Sequence, residues 1–160
     1  MVILVSLNAQ GLRSSDRRKV AFQFFNRKKF VCKCLFAKDF ICLQETHWTS
    51  DLGMIIKRQK KDDIYFAHGT ANARGVSVLI HPRLHHIVKQ VQRDNEGRIV
   101  NILLDIDDHI LNIVNVYAPN KDSERGAFFT DLNRILSSSS TQNLTCLVAI
   151  PIQDIQLYFT

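Results

Sequence analysis

The stretch FICLQETHWT, Phe40 to Thr49, runs through four apolar residues and then presents Gln44, Glu45, Thr46 and His47 in immediate succession. A short apolar run bounded by polar residues reads as a buried strand. Such a strand carries an amide, a carboxylate and a hydroxyl to its own tip, where the side chains of neighbouring strands can meet them.

Two further strands end in the same way. On the N-terminal side, apolar-rich Val2 to Leu7 reads as a buried strand that runs into Asn8 and the turn-forming NAQGLRSSD. On the C-terminal side, Ile110 to Tyr117 reads as a strand that closes on Tyr117. Between the first two, DRRKVAFQFFNRKKF reads as a helix capped around Ser15 or Asp16. Val20, Ala21, Phe24 and Phe25 make its inward face, and Arg17, Arg18, Lys19, Arg27 and Lys28 face solvent.

Short strands are predicted over Ile64 to Ala67, Val76 to Ile80, Ile87 to Val91 and Arg98 to Asp105, separated by Gly, Pro, Asn and Asp. One hairpin turns at RDNEG, where Gly97 can take a positive backbone angle, and a second turns at Asp107 and Asp108. A second helix from about Ser123 to Leu136 places Phe128, Phe129, Leu132, Ile135 and Leu136 along one stripe. Ser137 to Ser140 then makes a polar loop and Leu144 to Ile150 another buried strand. Strand, helix, strand, a run of antiparallel strands, then helix and strand indicate a mixed sheet with helices packed on it. There is no internal repeat and no linker.

Composition bounds the function. With 160 residues, 46% of them apolar and 22% charged, the chain suits one globular domain with a real core, or part of a larger one, and excludes a disordered segment. Twenty-one Lys and Arg against fifteen Asp and Glu give a net charge of +6 and a pI near 9.3, a bias toward polyanionic partners such as nucleic acid. Cys32, Cys34, Cys42 and Cys146 form no C-x-x-C pair, as expected of reduced intracellular thiols without disulfides or zinc. The opening MVILVSLN is too short an apolar run for a signal peptide, and no run approaches membrane-spanning length. A nuclear or cytoplasmic protein is the expectation.

Asn8, Glu45 and Tyr117 thus stand at three strand ends. A carboxylate beside neutral oxygen donors suits a hard divalent cation such as magnesium, which also takes water and phosphate oxygens. A nearby phenol can donate to a phosphate. Each residue also has a plainer reading: a turn at Asn8, a solvated carboxylate at Glu45, a half-buried core aromatic at Tyr117. Of the histidines, His47 is expected at the surface, and His85 and His86 on opposite faces of a strand, so that at most one approaches any site. Arg74 is expected to be solvated in a loop, with a phosphate contact as the alternative, and Lys57, Arg58, Lys60 and Lys61 to form a solvated face that could add nonspecific affinity for a nucleic-acid backbone.

SLNAQGLR, ICLQETHW, ARGVSVLI and NIVNVYAPN, in that order, resemble the endonuclease/exonuclease/phosphatase superfamily. The resemblance is closest to the endonuclease domain of LINE-type retrotransposons, related to exonuclease III and apurinic/apyrimidinic endonucleases, and covers Val2 to about Leu144. It implies a four-layered α/β sandwich, DNase I-like, that cleaves phosphodiester bonds of DNA with Mg2+ or Mn2+. It implies that Asn8 helps to hold the metal and the catalytic network, and that Glu45 ligates the metal. It further implies that Tyr117 contacts the phosphate or supports the nucleophile, and that Asn120 closes the same motif on the substrate side.

Relatives also carry a Gly-Asp-x-Asn motif after the second helix and a further half-domain with a terminal Asp-His pair. Here the chain reads NLTCLVAIPIQDIQLYFT, and Asp154 and Gln156 only mimic that spacing. LVAIPI, Leu147 to Ile152, is compatible with CTG GTG GCG ATT CCA ATT, which read from its third base gives Gly-Gly-Asp-Ser-Asn. The expectation is therefore an endonuclease domain over 1-146, cut to about its first half, followed by a divergent tail over 147-160 produced by a shifted reading frame. FVCKCLFAKDF is expected to insert several residues near 31-38. Two functions follow from this: a nuclease by descent, incomplete in this chain, or a catalytically inactive fragment that binds nucleic acid weakly.

Overall fold

The predicted strands resolve, in a computed structural model, into two sheets rather than one. The structure describes residues 4–27, 39–60, 63–106, 109–137 and 144–149. Strands β1 (Leu4–Asn8), β2 (Phe40–Gln44), β3 (Asp63–Ala67) and β4 (Val76–Ile80) form the first sheet, in the order β1-β2-β4-β3. Strands β5 (Val88–Arg93), β6 (Ile99–Ile106), β7 (His109–Val116) and β8 (Leu144–Ala149) form the second, in the order β5-β6-β7-β8. In each sheet one pair is parallel, β1 with β2 and β7 with β8. Parallel neighbours need a long crossover, and helices α1 (Ser15–Arg27) and α3 (Asp122–Ser137) supply one each.

Three apolar clusters correspond to the three interfaces of a four-layered sandwich. Leu43, Ile64, Phe66 and Leu79 of the first sheet pack with Ile56 of helix α2 (Ser50–Gln59) and with Ala21 and Phe22 of α1. Phe40, Cys42, Val78 and Ile80 meet Val100, Ile102, Leu104 and Ile113 between the two sheets. Ile99, Val114 and Val116 pack with Phe128, Leu132 and Ile135 of α3. This is the α/β sandwich that the motif resemblance implies. Burial pushes the Cys42 thiol up, so it behaves as a small core hydrophobe.

Several local expectations change. The cap of α1 is Ser14, one residue earlier than expected: its Oγ accepts from the backbone N–H groups of Asp16 at 3.2 Å and Arg17 at 3.4 Å. The inward face of α1 includes Ala21 and Phe22, while Val20 is 67% exposed. Apolar residues fill so many successive positions there that helical spacing alone admits more than one stripe. The side chains of Phe24 and Phe25 lie outside the described residues. In α3, Phe128, Leu132 and Ile135 are buried as expected, but Phe129 is half exposed.

Helix α2 is unexpected. Gly53 in its interior lowers helix propensity, yet a Cβ there would stand 3.0 Å from the Phe66 ring, so the glycine lets α2 lie close on β3. Lys57 and Arg58 occupy its last turn, where they complement the helix dipole.

His85 and His86 belong to a 3₁₀ segment, Pro82–Ile87, and not to a strand. Pro82 opens it, and the His81 ring Nδ1 accepts from the Arg83 N–H at 3.3 Å. Strand β5 consequently begins at Val88. The first hairpin turns at Gly97 as expected (φ 71°), and residues 107–108 of the second lie outside the described residues. So do residues 31–38, and Asp154 and Gln156, whereas Leu147 to Ala149 continue β8 in register with Val114 to Val116. Among the described residues no helix is long and apolar enough to cross a membrane.

Candidate functional site

Side chains alternate faces along a strand, and on three strands the face turned toward the opposite sheet changes from apolar to polar in the same direction. On β2 it reads Phe40, Cys42, Gln44. On β1 it reads Leu4, Ser6, Asn8, with Asn8 the register partner of Gln44. On β7 it reads Ile113, Asn115, and then Tyr117 one residue past the strand. The strand-end groups singled out in the sequence therefore gather at one end of the sandwich.

The loops at this end are knitted together through the backbone. The N–H groups of Ala9, Gly11 and Leu12 donate to the carbonyls of Gln44, Glu45 and Thr46 at 2.8, 2.8 and 2.9 Å. Thr46 and His47 donate to Gly75 and Arg74, both at 2.9 Å, and Gly75 donates to Gly97 at 2.9 Å. The same loops hold every left-handed backbone angle among the described residues: Gln10, Glu45, His47 and Arg74 beside Gly11, Gly75 and Gly97. A left-handed angle costs a non-glycine residue about 1–2 kcal/mol, and strain of this kind clusters at functional sites.

Glu45 owes its angle (φ 50°) to a bulge. The regular pairing of β2 with β4 ends at Leu43 and Ser77, and hydrogen bonding resumes between Thr46 and Gly75. Two residues, Gln44 and Glu45, thus stand opposite one, Val76. Such bulges re-aim side chains and are frequent beside active sites.

The re-aimed Glu45 carboxylate and the Asn120 side chain are both close enough to act on the Tyr117 phenol. Burial pushes the phenol up to about 12, and the nearby Glu45 carboxylate adds to the effect; Arg98 and Asn120 oppose it. The guanidinium of Arg98 stands 5.8 Å from the centroid of the Tyr117 ring, and its Nη2 pairs with Glu124 at 2.5 Å. Tyr117 N donates to the Arg98 carbonyl at 2.8 Å. Beneath this, the Asp94 carboxylate accepts the backbone N–H groups of Arg98 and Ile99, both at 2.9 Å; burial raises its affinity for a proton against the pull of these bonds.

Asn8 is half-buried and makes the turn of its plainer reading, with Oδ1 accepting from Gln10 N at 3.0 Å. That bond uses one of the two lone pairs on Oδ1. Glu45 and Tyr117 are half-buried and Asn120 is exposed. His47 is half-buried, with its ring against Gly11. Arg74, expected to be solvated, is instead tied to Glu96 and, at 3.6 Å, to Glu124. His85 stands at the opposite end of the first sheet, with Nδ1 2.5 Å from Asp63.

Among the described residues no three His, Cys, Asp or Glu side chains group to hold a metal. Of the groups singled out in the sequence, the oxygen donors at this end are one carboxylate, Glu45, and the neutral oxygen of Asn8. That set fits magnesium, which is bound through one or two carboxylates and keeps several waters; it does not fit a cation that needs a full protein cage.

The sequence reading placed Gln44 at the strand tip without a role, and missed Asn115, Arg98 and Asp94. Asn115 has a signal, a polar residue at an inward position of a strand that is otherwise apolar on that face. Arg98 and Asp94 have none, because their partners are remote in sequence or lie in the backbone.

No family model matches the chain. Over 133 residues it is 27% identical to the "Transposon TX1 uncharacterized 149 kDa protein" of Xenopus laevis, a match covering 83% of this chain and 10% of that protein. Among solved structures it is similar to a 3' phosphatase from Neisseria, NExo, bound to a product DNA hairpin, with a TM-score of 0.64 and 13% identity over 93% of this chain and 57% of that one. An AP endonuclease from Archaeoglobus fulgidus gives a TM-score of 0.63 and 14% identity over 93% and 56%. An endonuclease/exonuclease/phosphatase family protein from Leptotrichia buccalis gives 0.53 and 14% over 92% and 66%. The chain thus spans a tenth of its curated relative and less than two thirds of these structures. The fold they share with it is the one that the four motifs imply, and the relative supports the link to transposons.

Proposed function

We propose that this chain carries the metal and phosphate side of a magnesium-dependent phosphodiesterase that acts on DNA. The observation that carries the reading is the gathering of Asn8, Glu45 and Tyr117 at the ends of β1, β2 and β7, at one end of the sandwich and within four ordered motifs. The net charge of +6 supports a nucleic-acid substrate. So do the similar structures, one of them named as holding a DNA hairpin and another as an AP endonuclease. The endonuclease portion is residues 1–146, with a divergent tail over 147–160, and a nuclear or cytoplasmic location goes with it.

Glu45 and the free lone pair of Asn8 would hold Mg2+, or Mn2+ in its place. When bound, the ion polarises a phosphoryl oxygen and offsets charge on the leaving oxygen. Tyr117, with its phenol pushed up to about 12, keeps its proton at neutral pH and acts as a donor rather than a base. A phosphate oxygen arriving beside Glu45 would find this O–H as a donor. Asn120 stands exposed beside it, where its amide can donate to the substrate.

The departure of NLTCLVAIPIQDIQLYFT from the relatives' Gly-Asp-x-Asn motif favours a second reading, a module that binds nucleic acid without cleaving it. Purified chain incubated with supercoiled plasmid and abasic-site duplex, in magnesium or in EDTA, separates the two. Metal-dependent cleavage lost in Glu45→Ala is the outcome expected of the phosphodiesterase; salt-sensitive binding without cleavage assigns the binding module. Cleavage that survives both EDTA and Glu45→Ala overturns the metal-site reading.

A further inference from the structure

The layer between the sheets is hydrocarbon except at the site end, where Gln44 and Asn115 are both fully buried. Asn115 reaches from β7 across to the first sheet and enters it at the last regular pair of β2 and β4. Its Nδ2 donates to the Leu43 carbonyl at 3.0 Å and to the Ser77 carbonyl at 2.9 Å, and its Oδ1 accepts from Gln44 Nε2 at 2.6 Å. Gln44 Nε2 also reaches Ser6 Oγ at 3.0 Å, which brings β1 into the set. Leu43 and Ser77 are the partners between which the ladder opens into the Gln44–Glu45 bulge. Asn115 thus supplies, from the opposite sheet, two donors to the carbonyls of the pair at which the ladder opens.

A buried amide set of this kind is costly when partly satisfied and rigidifying when complete. Here both N–H groups of Asn115 are used, and its oxygen is used as well. Its neighbours are the groups of interest: Glu45 directly follows Gln44, and Tyr117 lies two residues beyond Asn115 on the same strand face.

We infer that Asn115, with Gln44 as its relay, is a positioning residue: it holds the Gln44–Glu45 bulge against β7 so that the Glu45 carboxylate faces Tyr117. The inference deepens the reading of Glu45 as a functional carboxylate and rests on it for its meaning, but its geometric content can be tested without catalysis.

Native-state hydrogen exchange by NMR on the full chain is the first measurement. In Asn115→Leu, the amides of Gly11, Thr46 and His47, which bond in and around the bulge, should exchange at least about tenfold faster than in a matched control. The control is Ile113→Val, on the same strand face and outside the network. The His81 amide, bonded to Asp39 at the opposite end, should move no more in the variant than in the control. Asn115→Thr, which restores one donor, should recover part of the protection, and Gln44→Met, which removes only the relay, gives the same reading if Asn115→Leu does not fold. The second measurement is Mn2+ affinity by EPR, expected to fall in Asn115→Leu nearly as far as in Glu45→Gln, while Ile113→Val keeps it.

Uniform acceleration at both ends, or unchanged exchange at Thr46 and His47 in folded Asn115→Leu and Gln44→Met, overturns the inference. Wild-type chain that binds no Mn2+ removes the metal reading instead, and leaves the exchange result to decide the positioning role.

Discussion

The two ends of the sandwich are closed by different chemistry. At the end where β2 begins, Phe40, Ile80 and Leu104 fill the space between the sheets, and the chain leaves through the 3₁₀ segment opened by Pro82. Arg83 pairs with Asp39 and His85 with Asp63 at its margin, and none of the described residues there has a left-handed backbone. At the end where β2 stops, amides replace hydrocarbon, the ladder bulges, and seven left-handed residues sit in adjoining loops. One end is built for stability alone. The other carries backbone strain and buried polar groups beside the carboxylate and phenol of the proposed site, the distribution expected when local conflict is confined to a working site.

If that contrast is right, damage at the two ends should read out differently, and the largest effect should come from the strained end. Gly97 has φ 71°, and a Cβ there would fall on the carbonyl of His68, a backbone group that cannot swing aside. Gly97→Ala combines a left-handed cost of about 1–2 kcal/mol with that clash. It should destabilise by more than about 4 kcal/mol in urea unfolding. A loss below about 1 kcal/mol would mean that the loops at this end yield freely. Leu104→Ala, in the hydrocarbon end, should cost about 2–5 kcal/mol and leave Mn2+ affinity unchanged in the folded protein.

The next effect is a pH dependence. The Tyr117 phenol is raised, first by burial and then by Glu45, to about 12 from an unfolded value near 10. Between those values the unfolded chain has released the proton and the folded chain still holds it, so ν_U is smaller than ν_N and stability falls as pH rises. The contribution is complete below about pH 10 and is lost through about pH 12. Tyr65 is raised too, chiefly by burial, and acts in the same direction. Tyr117→Phe should therefore flatten, without abolishing, the alkaline loss of stability. An alkaline limb identical to wild type would show that Tyr117 is not held by Glu45 in solution.

The same contrast explains what the sequence discloses. Order and type of the strands are legible because apolar runs and Gly, Pro, Asn and Asp turns are local, and Asn8, Glu45 and Tyr117 stand out because each follows such a run. That the strands divide into two sheets is legible only through the motif resemblance and not from local pattern, since the pairing of β2 with β4 and of β7 with β8 depends on partners remote in the chain. Helix α2 is hidden by Gly53, whose reason is the Phe66 ring. The bulge is hidden most completely. It arises from a register difference between β2 and β4 and is sustained by Asn115 from the other sheet, so no local pattern announces it.

The smallest effect tests the strain itself. Glycine usually destabilises relative to alanine, because it gives the unfolded chain more freedom to lose. At Glu45 the order should invert. Both Glu45→Ala and Glu45→Gly remove the carboxylate that acts on Tyr117, so that loss cancels in the comparison. Alanine keeps the left-handed cost of φ 50° and glycine relieves it. A relief of about 1–2 kcal/mol, set against an entropic penalty of about 0.4–1 kcal/mol, leaves Glu45→Gly the more stable by several tenths of a kcal/mol or more. Paired denaturant curves resolve that difference. If alanine is equal or better, the bulge relaxes once the carboxylate is gone, and its angle is imposed by the Glu45 side chain rather than by Asn115. If glycine is better, the backbone is held by its surroundings and the side chain is placed by the fold, which is the arrangement a preorganised site requires.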